Sequence, residues 1–224
     1  MRIALVNSRQ DRAGVNIRRH IEDLLQSPGG EWQVPGRTYT FHEVEGRLIH
    51  AENVDAAIDT DLVIFLSRHA SVNPVPILTV HVTGNYRAAE LGGAPRTLAP
   101  AAPAMMQATL RTLARFCPEG YRVSYEVTHH GPTSLTHPSF FVEIGSTEKE
   151  WDDPAAGRAA AMAVLSAQPG NPLPLIGFGG THYAARQTEI ALTSRGAFGH
   201  IAHTREISSL EPDLVEAMAR ESGA

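Results

Sequence analysis

Histidines and two glutamates stand where apolar, strand-like runs come to an end. Ile77-Leu78-Thr79-Val80 runs into His81, and the stretch Val123 to Thr128 carries Glu126 and closes in His129-His130. Phe140-Phe141-Val142 meets Glu143, and Leu175 to Phe178 leads through Gly179-Gly180-Thr181 to His182, with His200 in a further apolar stretch near the C-terminus. Imidazole is the commonest metal ligand among side chains, and zinc wants such nitrogens at about 2.0–2.1 Å in a near-tetrahedral array. A carboxylate inside an apolar run is costly unless it is paired or bound to a metal. Together these residues suggest hydrolysis by a metal-activated water, with one glutamate as general base and the other as ligand or orienting group.

Each feature also has a plainer use. A histidine at a strand end can cap backbone groups, adjacent histidines point apart on an extended chain, and a glutamate in a strand can face solvent at a sheet edge. No His-Glu-x-x-His helix and no paired cysteines occur, so the spacing matches no standard metal motif. Gly179-Gly180 reads as a tight turn whose missing Cβ atoms would let backbone amides approach a substrate carbonyl or phosphate. Thr83-Gly84-Asn85-Tyr86, following His81, has the same character. Ser67-Arg68-His69 offers a serine beside a histidine, but neighbours on an extended segment seldom face each other and no third member of a triad is indicated.

The elements that must position these groups alternate along the chain. Strands are expected at Ile3 to Asn7, Tyr39 to Val44, Leu62 to Leu66, Pro76 to His81, Arg122 to Thr128, Phe140 to Ile144, Leu173 to Phe178 and Phe198 to Ala202. Helices are expected at Asn16 to Gln26, Met105 to Phe116, from Thr147 to Gln168 with Glu150 completing a capping box, and at Glu211 to Arg220. Arg87 to Pro103, rich in Gly, Ala and Pro, reads as a loop. This alternation predicts one α/β domain over residues 1–224, with a mostly parallel or mixed central sheet and helices on both faces. In such sheets the carboxyl ends of the strands converge on one crevice, which would gather the histidines.

Composition narrows the class. The 224 residues carry a formal net charge of −5, which argues against wholesale wrapping by nucleic acid and against DNA as partner while allowing a local basic patch. Cys117 is the only cysteine, so no internal disulfide can form, and Lys149 is the only lysine. Neither a signal-peptide pattern nor an apolar stretch of membrane-spanning length is present, and a cytoplasmic location is the simplest expectation.

Five segments occur in an order and spacing that resemble the archaeal and plant type D-aminoacyl-tRNA deacylases. They are Phe65-Leu66-Ser67-Arg68-His69, Leu78 to Asn85, Glu126-Val127-Thr128-His129-His130-Gly131-Pro132-Thr133, Phe141 to Glu148, and Gly177-Phe178-Gly179-Gly180-Thr181-His182-Tyr183. The closing Gly199-His200-Ile201 is similar too. The resemblance spans about Arg2 to His203 and implies a zinc-dependent hydrolase with a fold similar to peptidyl-tRNA hydrolase and nucleoside phosphorylase. Its reaction would be cleavage of the ester joining a D-amino acid to the 3′ end of tRNA by a zinc-activated water, releasing both for reuse. Carried onto this sequence, the expected metal residues are His81, His129, His182 and His200, and the acid/base pair is Glu126 and Glu143. His69, Asn85, His130, Gly179, Gly180 and Tyr183 are expected to contact substrate. The family carries a longer C-terminal region after the Gly-His-Ile block, and Ser71 to Pro76 departs from its pattern. An amidase or peptidase-like zinc hydrolase of small substrates on the same scaffold is the alternative.

Overall fold

The computed structural model describes residues 1–26 and 30–224. Its frame is a seven-stranded sheet. The apolar run Arg2–Ser8 forms β1, followed by helix α1 (Arg12–Leu25), the hairpin β2 (Glu31–Val34) and β3 (Arg37–Val44), and strands β4 (Leu62–Arg68) and β5 (Ile77–His81). Short β6 (Gly84–Asn85), just before the expected loop, pairs with β7 (Thr97–Leu98) inside it, ahead of helix α2 (Pro103–Phe116). Then come β8 (Arg122–Tyr125), β9 (Ser139–Gly145), α3 (Glu148–Trp151), α4 (Pro154–Ser166), β10 (Leu173–Phe178), α5 (Ala185–Thr193), β11 (Gly196–Ala202) and α6 (Pro212–Ser222). The sheet order is β2-β3-β1-β4-β9-β5-β8, and β10 and β11 form a separate parallel ribbon.

Several boundaries differ from expectation for local reasons. Helix α1 begins four residues earlier than periodicity suggests, because Asp11 caps it by accepting from the Gly14 amide at 2.9 Å. The single helix expected from Thr147 to Gln168 is two. The capping box of Thr147 and Glu150 forms, but Pro154 disfavours helical backbone at Asp153, which becomes the cap of α4 instead. Asn16 braces this break from α1, donating from Nδ2 to the carbonyls of Trp151 and Asp153. Helix α5 and strand β2 carry too little apolar periodicity to announce themselves.

The sheet is mixed. β3, β1, β4 and β9 run parallel, but β5 pairs antiparallel with β9, carrying β8 with it. The expected common carboxyl edge is therefore not formed: His81 at the end of β5 lies beside Phe141, and Thr79 beside Glu143. Residues of alternate parity divide between two layers. Ile3, Leu5, Ile64, Leu66, Phe140 and Val142 join the larger core beneath α1, α2 and α4, where the alanines of α4 let it approach α1 closely. Ala4, Val6, Val63, Phe65 and Phe141 form a smaller core on the opposite face, together with the short 3-10 turn Leu48–His50. There the Phe65 and Phe141 rings stack at 4.5 Å, each burial contributing about 1.5–3 kcal/mol. This second face, left open by the long helices, carries the polar cluster.

Candidate metal centre

Beyond the Phe65–Phe141 pair the same face of the sheet turns polar. His81 stacks on Phe141 with ring centroids 5.2 Å apart, and Glu143 stands two residues farther along β9, beside Ser67 of β4. The chain leaving β8 completes the group. Its ladder with β5 ends at Tyr125, and Glu126 and Val127 then pair with the backbone around His182 and Tyr183, drawing that loop over the sheet. His129 and His130 both reach the cluster. They do so because the extended backbone breaks at His130, whose φ of 48° is in the left-handed region and swings the second imidazole back beside the first. Gly131 makes the bend possible: a Cβ there would meet the Gly93 nitrogen at 2.3 Å and the Ile49 carbonyl oxygen at 2.6 Å.

The structure thus gathers His69, His81, Glu126, His129, His130, Glu143 and His182. Their ligand-capable atoms form three overlapping triads, each with atoms within 4.8 Å of one another: His81 with His129 and His130, His69 with Glu126 and His182, and His81 with Glu126 and Glu143. Such a buried set could hold a metal ion. Glu126 lies at the centre, fully buried, with Oε1 3.0 Å from His69 Nδ1 and Oε2 2.9 Å from His182 Nε2. These approaches are short enough for hydrogen bonds but misaligned for them, leaving both Glu126 oxygens, His182 Nε2 and His81 Nδ1 buried without partners. Buried polar atoms are rarely left so, and convergent unpaired lone pairs suit a cation.

Backbone carbonyls fix two of the imidazoles for that role. His129 donates from Nδ1 to the Val127 carbonyl at 2.8 Å and His130 from Nδ1 to the Gly131 carbonyl at 2.6 Å, so each presents a lone pair at Nε2. His130 Nε2 meets His81 Nε2 at 3.2 Å. Burial first, and the crowding of neighbouring imidazoles second, hold His81 and His130 well below the usual histidine range; burial also brings His129 to about 4. These rings are neutral at pH 7, the form that binds metals. Burial would also lower His182, but Glu126 outweighs it and raises that group. Burial alone would lift Glu126, yet the imidazoles of His182 and His69 hold it well below the carboxylate range. Glu143 goes the other way, pushed well up by burial and then by the charges of Glu126 and Asp11. Two carboxyls in one site are thereby separated into an anion and an acid.

Other expected residues lie elsewhere. His200 does not join the cluster: it is fully buried with Nδ1 3.1 Å from Thr128 Oγ1 and Nε2 donating to the Ala99 carbonyl at 2.9 Å, so both nitrogens are engaged in holding the fold. The Gly179 and Gly180 amides are also committed, to the Ala202 carbonyl and Thr204 Oγ1, which removes them as donors to a substrate carbonyl. Asn85 spends its amide on the Gly92 and Ala94 carbonyls, shaping the loop beside the site. Tyr183 does reach the cluster, its hydroxyl 3.0 Å from His69 Nε2. Ser67 faces Asp11 at 3.3 Å and has no imidazole partner, in keeping with its dismissal as a nucleophile.

Two cavities open on either side of His129, His130 and His182. The smaller, about 240 Å³, is walled by Leu48, Ile49 and Glu143, with Arg47 and Arg68 at its rim. The larger, about 750 Å³, is bordered by Tyr86, Arg87 and Arg205. Sequence reasoning missed Asp11 and Arg47 as parts of this region, while Tyr86 stands in the Thr83-Gly84-Asn85-Tyr86 stretch that it singles out; the capping position of Asp11 was the one available signal.

Fold and site define a class: a mixed α/β protein with a buried imidazole–carboxylate centre able to hold a metal. The family model described as D-aminoacyl-tRNA deacylase matches residues 56–224. The D-aminoacyl-tRNA deacylase of Methanoregula boonei is 70% identical over 100% of this chain and 51% of its own length. That of Methanosarcina mazei is 36% identical over 100% of this chain and 82% of its own. A crystal structure of a conserved protein of unknown function superposes with a TM-score of 0.89 at 34% identity, covering 99% of this chain and 83% of the other. The chain belongs to the D-aminoacyl-tRNA deacylase family. It spans about half the length of several of the curated relatives it matches. Among the described residues, no helix is long and apolar enough to cross a membrane.

Proposed function

We propose that this chain hydrolyses the ester joining a D-amino acid to the 3′ end of tRNA, in the cytoplasm, with zinc in the buried centre. The observation that carries the reading is the overlap of three buried triads, His81–His129–His130, His69–Glu126–His182 and His81–Glu126–Glu143, with both Glu126 oxygens, His182 Nε2 and His81 Nδ1 left without hydrogen-bond partners. His81, His129 and His182 are the proposed zinc ligands, with Glu126 beside them as the base and His130 and His69 adjoining. Bound there, zinc would supply Lewis-acid polarisation of the ester carbonyl and a water of lowered pKa.

The remaining work falls to the chain itself. Glu126, held anionic by its imidazole neighbours, accepts the proton of the attacking water, as a general base must. Glu143, kept protonated by burial and by Glu126, stands as proton donor to the departing 3′ oxygen of the ribose. Tyr183, through its contact with His69, orients that imidazole against Glu126. The cavity of about 240 Å³ has room for an aminoacyl group and the one of about 750 Å³ for a nucleotide, and the two meet at the histidines. Arg47 and Arg68, which make no ion pair with any described residue, supply the local positive charge that an RNA end needs on a protein of net negative charge.

The test is metal dependence. Chelation of the purified protein should abolish D-aminoacyl-tRNA hydrolysis and zinc add-back should restore it, with His129→Ala retaining less metal. Full activity in metal-free protein would reject zinc chemistry. Brisk cleavage of a small amide with none of the tRNA ester would favour the amidase alternative.

A further inference from the structure

Far from the histidines, a cavity of about 350 Å³ lies between the second half of α2 and the segment leading into β10. Arg111, Arg115 and Arg195 line it, and no aspartate or glutamate does. A fourth cation stands behind its wall: Arg37 is only 7% exposed and donates to Gln168 Oε1, a lining residue, at 3.3 Å and to Tyr39 Oη at 3.2 Å. None of the four makes an ion pair with any described residue, although eight other arginines of the chain do. Buried or clustered cations without counter-ions are costly, and a guanidinium fork matches a tetrahedral oxyanion.

Two of these arginines are held in place by the fold. Arg111 donates through Nε to the Ala191 carbonyl at 2.9 Å and through one terminal nitrogen to that of Ser194. Arg195 donates through Nε and one terminal nitrogen to the Asn171 carbonyl, at 3.2 and 2.8 Å. Each keeps a second terminal nitrogen with no acceptor among the described residues, while Arg115 makes no hydrogen bond with any described residue and lies over the Phe116 ring at 5.5 Å.

The position of the cavity relates it to the centre. Asn171 and Pro172 precede β10 and Arg195 precedes β11, so the cavity lies at the entry of the β10–β11 ribbon, while Thr181 and His182 follow its exit. Six or seven residues of strand make this separation about 20 Å. An RNA backbone running from the reacting ester to the cavity would cover that distance over several nucleotides.

We infer that this arginine cavity is a second contact for phosphate groups of an RNA backbone, gripping the acceptor arm about 20 Å from the reacting ester. The inference rests on the deacylase reading for the identity of the RNA. Its test uses Arg115→Glu and Thr112→Glu, which place a negative charge in the cavity without touching the carbonyl contacts of Arg111 and Arg195. Binding of uncharged tRNA should weaken at least tenfold at low salt, with the slope of log affinity against log salt reduced by about one to two. Hydrolysis of D-tyrosyl-adenosine, too short to reach the cavity, should keep its wild-type rate. Unchanged tRNA affinity in both variants would overturn the proposal. So would inorganic phosphate that stabilises wild type but not the variants while tRNA binding stays equal, which would assign the cavity to a small phosphorylated ligand. Failure of the deacylase reading is separately visible, since wild type would then cleave neither ester.

Discussion

His182 Nε2 approaches Glu126 Oε2 to 2.9 Å, yet neither atom makes a hydrogen bond. A carboxylate oxygen and an imidazole nitrogen this close, both shielded from solvent and without a well-aligned hydrogen bond, suit a shared cation. Glu126 is similarly placed toward His69 at 3.0 Å and lies 3.5 Å from His129. Replacing one oxygen with an amide should therefore damage both metal retention and chemistry. Glu126→Gln is expected to lower kcat/KM by about 10²–10⁴-fold, the range for loss of a general base. It should also purify with less zinc, measured by elemental analysis. A variant with wild-type zinc and wild-type rate would remove Glu126 from the centre.

Glu143 differs from Glu126 in kind, since its proton is retained by burial and by the anion beside it. Glu143→Gln keeps a hydrogen-bond donor but cannot release a proton. It is expected to lower kcat by about 10²-fold or more on the tRNA ester, while an activated ester whose leaving group needs no proton should be cleaved at close to the wild-type rate. Equal losses on the two substrates would contradict the acid role.

His69 is positioned by contact with a residue that has no side chain. A Cβ on Gly145 would lie 2.7 Å from His69 Cδ2 and 2.9 Å from its Cβ, closer than such atoms pack. Gly145→Ala should displace the imidazole from Glu126 and Tyr183, reducing activity by about 10²-fold, the scale of a misplacement near 1 Å. Overpacking of this kind costs about 1–3 kcal/mol, so circular dichroism should still report a folded protein. Loss of activity in proportion to loss of fold, and no more, would count against the positioning role.

His200 makes a prediction about stability and not about chemistry. Burial brings its pKa to about 4, against an ordinary value near 6.5 when unfolded. The unfolded chain therefore binds the proton first, and the stability contributed at pH 7 is lost as pH falls from about 6.5 toward 4. At pH 4.5 this one group should account for roughly 2–3 kcal/mol. His200→Gln, whose amide can reach the same partners, should show a correspondingly smaller drop in urea midpoint between pH 7 and 4.5. Parallel drops in both proteins would show that His200 titrates normally.

Much of this arrangement is legible in the sequence. The apolar runs mark β1, β4, β5, β9 and β10, and the histidines at their ends mark the cluster, because burial of an imidazole or carboxylate amid apolar neighbours is a local signal. What pattern alone does not carry is direction. Nothing in Ile77 to His81 tells whether β5 runs parallel or antiparallel to β9, since either satisfies the same backbone bonds, so a common crevice at the strand ends was the expectation and a site on the sheet face is the outcome. His200 illustrates the same limit: its strand-end position matches that of His81, and only the tertiary partners Thr128 and Ala99 distinguish a structural histidine from a ligand. Asp11 lay in plain sight as a helix cap, but its nearness to Ser67 and Glu143 comes from the pairing of β1, β4 and β9.

The central claim is hydrolysis of D-aminoacyl-tRNA with the L-ester spared, and one comparison tests it most directly: rates of deacylation of D-tyrosyl-tRNA and L-tyrosyl-tRNA by the purified, zinc-loaded protein. The two esters differ only in configuration at the α-carbon, so discrimination must arise from differential binding of the transition states at the cavity beside His129 and His182. The expected result is cleavage of the D-ester at least about 10²-fold faster than the L-ester, a difference near 2.7 kcal/mol. Equal rates on the two esters, or no cleavage of either, would contradict it.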